Sequence, residues 1–193
     1  MKTRFLAIDF ETANQYRDSA CALGLVRVED RKIVHKVVHL IRPPYRDFMF
    51  THIHGISWSD VAGSPTFKDL WKVISPLFDG VDFLAAHNAT FDAGVLRACT
   101  LRAGIVAPEL PFTCTVKLAR QQWNLYPTKL PDVCRHLGLK LNHHEALSDA
   151  LACAQIVMAA QKESGPLIAP KALKTAKIPA KERQRALATS RTL

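Results

Sequence analysis

The sequence predicts an α/β fold in which strands and helices alternate around one central sheet. Short apolar runs of strand length, bounded by turn residues, occur at 4–10 and 82–87. Apolar residues at helical spacing follow the second run, over 91–103. The chain has 193 residues, enough for one domain with a substantial core. The periodicity specifies this fold class and no particular fold within it.

The N-terminal half is predicted to be rich in strands. We expect strands at 4–10, 20–28 and 32–41. The last two form a hairpin that turns around Glu29-Asp30-Arg31. A loop through Pro43 and Pro44 then leads to a helix over 66–78, which Asp79-Gly80 ends.

The C-terminal half is predicted to be mainly helical. Helices are expected at 91–103, 115–122, 130–137 and 146–163, and strands at 82–87 and 111–114. From Ser164 onward the composition changes. Residues 164–193 carry seven basic residues and one acid, so that 7 − 1 = +6 of the formal charge of +9 lies there. We therefore divide the chain into a domain, 1–163, and a basic tail, 164–193, which is either solvated or an electrostatic arm for nucleic acid.

The composition limits the class of protein. Hydrophobic residues make up 48% and charged residues 22%, as in a globular domain, and no run of about eighteen apolar residues predicts a membrane span. Met1 to Arg4 lead straight into the first strand, so we expect no removable signal peptide. The five cysteines show no C-x-x-C spacing and have apolar neighbours. Buried thiols in a reducing compartment, the cytoplasm, are expected.

Two carboxylates follow the first apolar run. Asp9 and Glu11 are two residues apart, so in a strand both side chains point to the same side. Buried together without a counter-charge they repel each other, and a hard divalent cation with oxygen ligands would relieve this cost. The alternative is an edge strand with two solvated acids, but the apolar neighbours Phe5, Ala7 and Phe10 favour a buried strand.

Two further acids lie near predicted helix starts. Asp92 follows the strand at 82–87 and falls in the first turn of the next helix, where it could equally cap the helix. Asp149 lies on a helix whose other positions are largely Ala, Leu, Ile and Val. It is either exposed at the edge of the apolar stripe or held for a ligand. His144 precedes it by five residues.

The order and spacing of these residues resemble the three motifs of the DEDDh exonuclease superfamily. That superfamily includes the proofreading epsilon subunit of bacterial DNA polymerase III, RNase T and exonuclease X. The motifs here are Asp9-x-Glu11-Thr12, His87-Asn88-Ala89-x-Phe91-Asp92 and His144-x-Ala146-x-x-Asp149. The segments 13–14, 19–24, 54–56 and 65–67 are similar to the epsilon-subunit-like group in particular. The resemblance covers roughly 4–160 and implies a ribonuclease H-like fold, a central mixed five-stranded sheet flanked by helices.

The resemblance also implies a metal-dependent 3′–5′ exonuclease. Hydrolysis of a phosphodiester by two metal ions would account for the four acids. Asp9 would bridge two Mg²⁺ (or Mn²⁺) ions. Glu11 and Asp149 would complete the coordination of one ion, and Asp92 would support the other ion. A zinc site is not expected, since no Cys/His cluster is present. One branch of the family has a Tyr four residues before the last Asp and the other a His five before it. Position 145 is Glu and position 144 is His, so we assign His144, and not His143, as the general base.

Substrate contacts are expected from the same resemblance. Thr12 would lie near the terminal sugar, the segment of His54 and Ile56 would line the terminal-base pocket, and Asn88 and Phe91 would flank the scissile phosphate. Ile56 and Phe91 could equally be core residues. The expected substrate is a single-stranded DNA 3′ end, and the expected role is repair or proofreading.

Alternative functions remain open at this point. An exoribonuclease like RNase T or oligoribonuclease uses the same motifs, and the sequence does not separate DNA from RNA. The protein could instead act chiefly as a polymerase-associated subunit that docks through its tail. Gln122-Trp123-Asn124-Leu125-Tyr126 faintly resembles a sliding-clamp-binding peptide, but we expect Trp123 and Leu125 to pack inward. The sequence predicts no oligomeric state.

Overall fold

The computed structural model describes residues 3–165, which form a five-stranded mixed sheet with helices on both faces. The strand order is β3-β2-β1-β4-β5. The strands are β1 (Arg4–Thr12), β2 (Ala20–Glu29), β3 (Lys32–Leu40), β4 (Phe83–Ala86) and β5 (Phe112–Cys114). β1 pairs antiparallel with β2 and parallel with β4, so it occupies the centre of the sheet. The predicted central mixed five-stranded sheet is confirmed.

Seven helices and one 3₁₀ helix connect and cover the strands of the described region. The helices are α1 (Thr51–His54), α2 (Trp58–Val61), α3 (Phe67–Ile74), α4 (Thr90–Ala103), α5 (Thr115–Trp123), α6 (Leu130–Leu137) and α7 (Ala146–Ser164). The 3₁₀ helix, Ser75–Phe78, follows α3 directly. Among residues 3–165, no helix is both long and apolar enough to cross a membrane.

The side chains of β1 alternate between two hydrophobic cores. Leu6 and Ile8 point into the core that α3 and α4 cover, whereas Phe5 and Ala7 point into the core that α5, α6 and α7 cover. All four are fully buried, as expected for a central strand with helices on both faces. Asp9 and Glu11 continue the series of Phe5 and Ala7. Their carboxylates are therefore on the α7 side of the sheet.

Two local predictions differ from the structure. The helix expected over 66–78 ends at Ile74 and continues as a 3₁₀ turn, because Pro76 lacks the N–H that an α-helix needs. The loop expected before residue 54 contains α1, and α2 follows it. Each has only four residues, too few to give a helical period. The tail at 164–193 falls outside the described residues from residue 166 onward.

The cysteines are free thiols, as predicted. Cys21, Cys99, Cys134 and Cys153 are buried, and Cys114 is partly buried. Burial raises the pKa of Cys21 and Cys99 to about 12. These thiols therefore behave as small apolar residues, Cys99 in the core that α3 and α4 cover and Cys21 in a small separate cluster with Ala13 and Val61.

Candidate active site

Asp9 and Glu11 lie at the carboxyl end of the central strand. Asp9 is opposite Gly24 of β2, and a bulge between Glu11 and Thr12 ends the regular pairing. Both side chains are partly buried and face the first turn of α7. The edge-strand alternative is therefore excluded: β1 has a neighbour on each side.

Asp92 joins the site from the first turn of α4. Its Oδ1 accepts a hydrogen bond from the backbone N–H of Phe10 at 3.0 Å, between the two acids of β1. The side chain is 1% exposed. The N-cap of α4 is Ala89, which makes no side-chain cap. Asp92 thus links the second motif directly to the first.

Asp149 joins the site from the first turn of α7. It is 4% exposed, so the alternative of an exposed acid at the edge of the stripe is wrong. Its Oδ2 accepts hydrogen bonds from the His143 ring at 2.8 Å and from the His144 backbone N–H at 3.2 Å. Its Oδ1 is buried and has no hydrogen-bond partner among the described residues. This oxygen is free to coordinate a ligand.

Gly24 is the residue that lets α7 approach the acids of β1. A Cβ atom at this position would lie 2.8 Å from the Leu147 nitrogen and closer still to the Ala146 carbonyl. Only a glycine lets the start of α7 pack this tightly on β2, directly opposite Asp9. The signal in the sequence was one glycine within an apolar strand, which indicates a close backbone approach.

The four carboxylates share an unfavourable electrostatic environment. Burial raises the pKa of Asp9 well above its usual range, and Asp92, Asp149 and Glu11 raise it further. Burial also raises the pKa of Asp92 to about 8 and, together with the charge of Asp149, that of Glu11 to about 7. The pKa of Asp149 is raised by burial, although its hydrogen bond from His143 acts in the opposite direction.

The donor set fits a hard divalent cation. Carboxylate oxygens of Asp9, Glu11 and Asp149 all lie within 4.8 Å of one another, and Asp149 offers its unpartnered Oδ1. Within residues 3–165, no Lys or Arg forms an ion pair with any of the four acids. Buried carboxylates without a cationic partner are typical of a metal site. Asp92 lies outside the 4.8 Å cluster and contacts the backbone of Phe10 instead.

Two histidines stand beside Asp149. The rings of His143 and His144 stack at a centroid distance of 3.8 Å, and ring nitrogens of both lie within 4.8 Å of a carboxylate oxygen of Asp149. His143 donates a hydrogen bond to that carboxylate. His144 is exposed, has a left-handed backbone (φ 69°) and uses its backbone N–H for Asp149. The sequence did not predict the contact of His143.

Three residues expected to contact the substrate meet on the β2 side of the acids. His54 Nε2 donates to the Thr12 carbonyl at 3.2 Å, and the N–H of Ile56 donates to His54 Nδ1 at 3.1 Å. Burial lowers the pKa of His54, which agrees with a neutral ring. Ile56 is partly buried against a small cluster that contains Ala13, Cys21 and Val61. These contacts hold α1 against the end of β1.

Asn88 and Phe91 lie at the start of α4. Asn88 is exposed with a left-handed backbone (φ 60°), a conformation that Asn tolerates, and it lines the same pocket as Asp9 and Asp149. Phe91 is 38% exposed. The alternative that Phe91 is a core residue is therefore wrong, and its ring is accessible near the site.

His87 connects the end of β4 to the segment between α5 and α6. Its Nε2 donates to the Thr128 carbonyl at 3.0 Å, and its Nδ1 lies 2.8 Å from Thr115 Oγ1. Burial lowers its pKa to about 4, so the ring is neutral at ordinary pH. The sequence placed His87 in a motif without giving it a role, and it gave no signal for Thr128 or Lys129, which line the pocket.

The segment that faintly resembled a clamp-binding peptide is folded into the domain. Gln122 and Trp123 both donate to Glu163 Oε2, at 3.1 and 2.8 Å, and Ser164 donates to Gln122 Oε1 at 2.7 Å. Trp123 and Leu125 pack against the α5–α7 core, as expected. These bonds join the end of α5 to the end of α7.

Comparison with known proteins agrees with the geometry. An exonuclease family model, that of RNase T, matches residues 6–157. Exodeoxyribonuclease 10 of Escherichia coli strain K12 is 33% identical over 170 residues, which cover 82% of this chain and 69% of that protein. A PolC-type DNA polymerase III of Clostridium perfringens is 32% identical over 161 residues, 79% of this chain. The match spans only 11% of the polymerase.

Solved structures share the fold. Exonuclease X in complex with 5′ overhanging duplex DNA superposes with a TM-score of 0.69 at 27% identity, covering 84% of this chain and 94% of that one. Escherichia coli exonuclease I in complex with a 5cy-dT13 oligonucleotide has a TM-score of 0.71 at 16% identity, covering 84% of this chain and 41% of that one, and supports the fold alone. The ribonuclease H-like fold is thereby confirmed. With the family model matched across nearly the whole described domain, the chain belongs to the RNase T family of divalent-metal-dependent exonucleases.

Proposed function

We propose that this protein removes nucleotides one at a time from the 3′ ends of DNA, with a preference for single strands. The observation that carries the proposal is the cluster of Asp9, Glu11 and Asp149, whose partly or fully buried carboxylates lack a Lys or Arg partner within residues 3–165. Asp92 is hydrogen-bonded into the same site. DNA as substrate is supported by the relatives: one is an exodeoxyribonuclease, and exonuclease X was solved with DNA.

The acids have the role of holding two Mg²⁺ or Mn²⁺ ions. Asp9, Glu11 and Asp149 would hold one ion, and Asp9 with Asp92 the other. When bound, the ions supply Lewis acidity to the scissile phosphate and stabilise the charge of the leaving sugar oxygen. The raised pKa values of Glu11 and Asp92 mean that protons leave these carboxylates when the ions bind.

His144 has the role of general base. Its imidazole nitrogen would take the proton of the attacking water, and in the described part of the chain no hydrogen bond to a side chain or backbone group occupies that ring. His143 has its Nδ1 hydrogen committed to Asp149 and would orient that carboxylate. Stacking against His143 positions the His144 ring next to the cluster.

The substrate end is proposed to lie between α1 and α4. His54, Thr12 and Ile56 would surround the terminal nucleotide on one side, and Asn88 and the accessible ring of Phe91 would flank the scissile phosphate on the other. Apolar and aromatic surfaces hold single-stranded ends without reading sequence. The free cysteines support the cytoplasm as the location.

The test is digestion of matched oligonucleotides labelled at the 5′ end. Single-stranded DNA, duplex DNA with a 5′ overhang and RNA of the same sequence are each incubated with Mg²⁺ or with EDTA. We expect a ladder that shortens from the 3′ end, fastest on single-stranded DNA and absent in EDTA. Cleavage that persists in EDTA, or immediate release of the label as a mononucleotide without a ladder, contradicts the proposal. A faster ladder on RNA instead selects the exoribonuclease alternative.

Association with a polymerase is a second candidate role. The observation that favours it is the PolC match, where the related segment is part of a DNA polymerase. Gel filtration of this protein with and without the polymerase subunit of the same cell tests it. A shared elution peak supports association, and separate peaks contradict it.

A further inference from the structure

The segment between α5 and α6, residues 124–129, borders the pocket that Asp9 and Asp149 line. This pocket has a volume of about 350 Å³. Asp9 and Asp149 line one part of it, and Thr128 and Lys129 line another. The segment is therefore continuous with the reaction centre, although none of its residues belongs to the family motifs.

Thr128 fixes the segment in place. It is 5% exposed; its carbonyl accepts the hydrogen bond from His87 and its Oγ1 accepts one from Arg120 Nε at 3.0 Å. The next residue, Lys129, donates its backbone N–H to Asp132 at 3.2 Å at the start of α6. Three hydrogen bonds thus fix the backbone at Thr128 and Lys129, and they restrict the position from which the Lys129 side chain extends.

The exposed surface formed by the segment and the adjacent helix α5 is basic and aromatic. Lys129 of the segment and Lys117 and Arg120 of α5 are all exposed, and the structure of residues 3–165 shows no ion pair for Lys129. Tyr126 is 83% exposed, with the Arg120 guanidinium 6.0 Å from its ring centroid. A cationic surface with an accessible ring suits a nucleic acid strand, whose phosphates and bases it can bind together.

The segment lies on the opposite side of the acids from His54. His54 bonds to the end of β1 near β2, whereas Thr128 is held through His87 at the end of β4. Because β2 and β4 flank β1 on opposite sides, the acids lie between the two groups. A strand with its last nucleotide near His54 and its scissile phosphate at the acids continues towards Lys129 and Tyr126.

We propose that Lys129 and Tyr126 form a binding site for the nucleotides that precede the terminal one, Lys129 on a phosphate and Tyr126 on a base or sugar. This inference rests on the proposed exonuclease function. The site gives no base specificity, since a lysine reads charge and a ring stacks with any base. It lowers KM for strands of several nucleotides and leaves the reacting phosphate to the acids.

The test compares a long and a one-nucleotide substrate. The substrates are a single-stranded oligonucleotide and the p-nitrophenyl ester of thymidine 5′-monophosphate, which has no preceding nucleotide. The variants are Lys129→Ala and Tyr126→Ala, and the matched control is Lys68→Ala. Lys68 is an exposed lysine on α3, which packs on the other face of the sheet.

We expect each variant at the proposed site to raise KM for the oligonucleotide about fivefold or more, with kcat and ester hydrolysis unchanged. Lys129→Ala should also reduce the salt slope of log K for oligonucleotide binding by about 0.7, and Lys68→Ala should behave as wild type. Equal losses on both substrates, or an unchanged KM for the oligonucleotide, overturn the site. If the unmodified protein hydrolyses neither substrate, the exonuclease function itself has failed, which is a separate result.

Discussion

Two sites with buried carboxylates differ in whether the protein itself supplies a counter-charge. Asp18, 7% exposed, lies 2.8 Å from the Arg102 guanidinium and accepts a hydrogen bond from Tyr45. Asp9 has three other carboxylates around it and no ion pair with a Lys or Arg of residues 3–165. The first arrangement joins the loop after β1 to α4 and is complete within the protein. The second has no such counter-charge within residues 3–165, as expected of the proposed metal site.

The largest expected effect is that of removing Asp9. Asp9→Ala should lower the rate of nucleotide release by about a thousandfold or more, because the proposed metal site would lose a carboxylate ligand. The same change should raise the metal-free melting temperature, since it relieves repulsion among buried acids. Asp18→Asn is the matched control. It should keep the chemistry and cost about 3 kcal/mol of stability by leaving Arg102 unpaired.

Digestion assays and thermal melts in EDTA measure both changes. If Asp9→Ala retains substantial turnover, the acid cluster is not the metal site. A lower melting temperature for metal-free Asp9→Ala would instead mean that Asp9 is a structural acid like Asp18.

The next largest effect concerns the two stacked histidines. His144→Ala should reduce kcat by roughly a hundredfold, the usual contribution of a positioned base, with little change in DNA affinity. His143→Ala should chiefly weaken metal affinity, because Asp149 loses a hydrogen bond that orients it. Single-turnover rates and metal titrations distinguish the two. The assignment of the base would be reversed if His143→Ala caused the loss of kcat and His144→Ala did not.

Gly24 tests whether the close approach of α7 creates the cluster. Gly24→Ala should move the first turn of α7 away from β1, cost about 1–3 kcal/mol of stability and raise the Mn²⁺ concentration needed for half-maximal activity about tenfold or more. Direct Mn²⁺ binding by calorimetry should weaken in parallel. Gly63→Ala is the control, since nothing lies within 4 Å of a Cβ there. Unchanged Mn²⁺ binding in Gly24→Ala contradicts this role.

The pH dependence of stability should also distinguish the acid cluster. The folded-state pKa values of about 7 for Glu11 and about 8 for Asp92 exceed their ordinary values of 4.5 and 3.8. Between these limits the folded state binds more protons than the unfolded state, so stability of the metal-free protein falls as pH rises. Melting temperatures in EDTA should therefore decrease from about pH 5 to pH 8.

Two comparisons identify the source of this slope. Saturating Mg²⁺ should restore stability at pH 8, because binding to the folded state alone is stabilising. Asp92→Asn should flatten the slope, whereas Asp18→Asn should leave it in place. A melting temperature in EDTA that rises over this pH range argues against raised carboxylate pKa values in the site.

The smallest expected effect is that of the basic tail. Deleting 164–193 should weaken single-strand binding and reduce the slope of log K against log salt by about 0.7 for each lost phosphate contact. Turnover at saturating substrate should hardly change, since these charges are not part of the acid cluster. Binding titrations at several salt concentrations measure the slope. An unchanged slope leaves the tail as a solvated segment or a protein-docking segment.

Most of the fold was predictable because it depends on local patterns. Strands β1 to β3 and helices α4 to α7 begin and end within about two residues of the predicted positions, since apolar periodicity and glycine stops determine them. The four-residue helices α1 and α2 were missed because they contain about one turn each. Whether the Phe91 side chain is exposed or buried could not be predicted, because its exposure depends on which other elements cover the start of α4.

The site was predictable in composition and less so in geometry. The spacing of Asp9, Asp92 and Asp149 indicated an acid cluster, whereas the contact of His143 with Asp149 depends on the left-handed backbone at His144. Lys129 reaches the pocket through a hydrogen bond between His87 and Thr128, which are 41 residues apart. Such contacts between distant segments leave no periodic signal in one sequence.

The central position of β1 implies that different parts of the site lose their structure at different temperatures. Asp9 and Glu11 are on β1, which has a neighbouring strand on each side and helices on both faces. A strand in this position is expected to open only with global unfolding. His143 and His144 are in an exposed turn that local fluctuations can open at much lower cost. Warming should therefore displace the proposed proton acceptor, His144, while Asp9 and Glu11 stay in place. Hydrogen exchange would record this as early exchange at 143–145 and late exchange across β1.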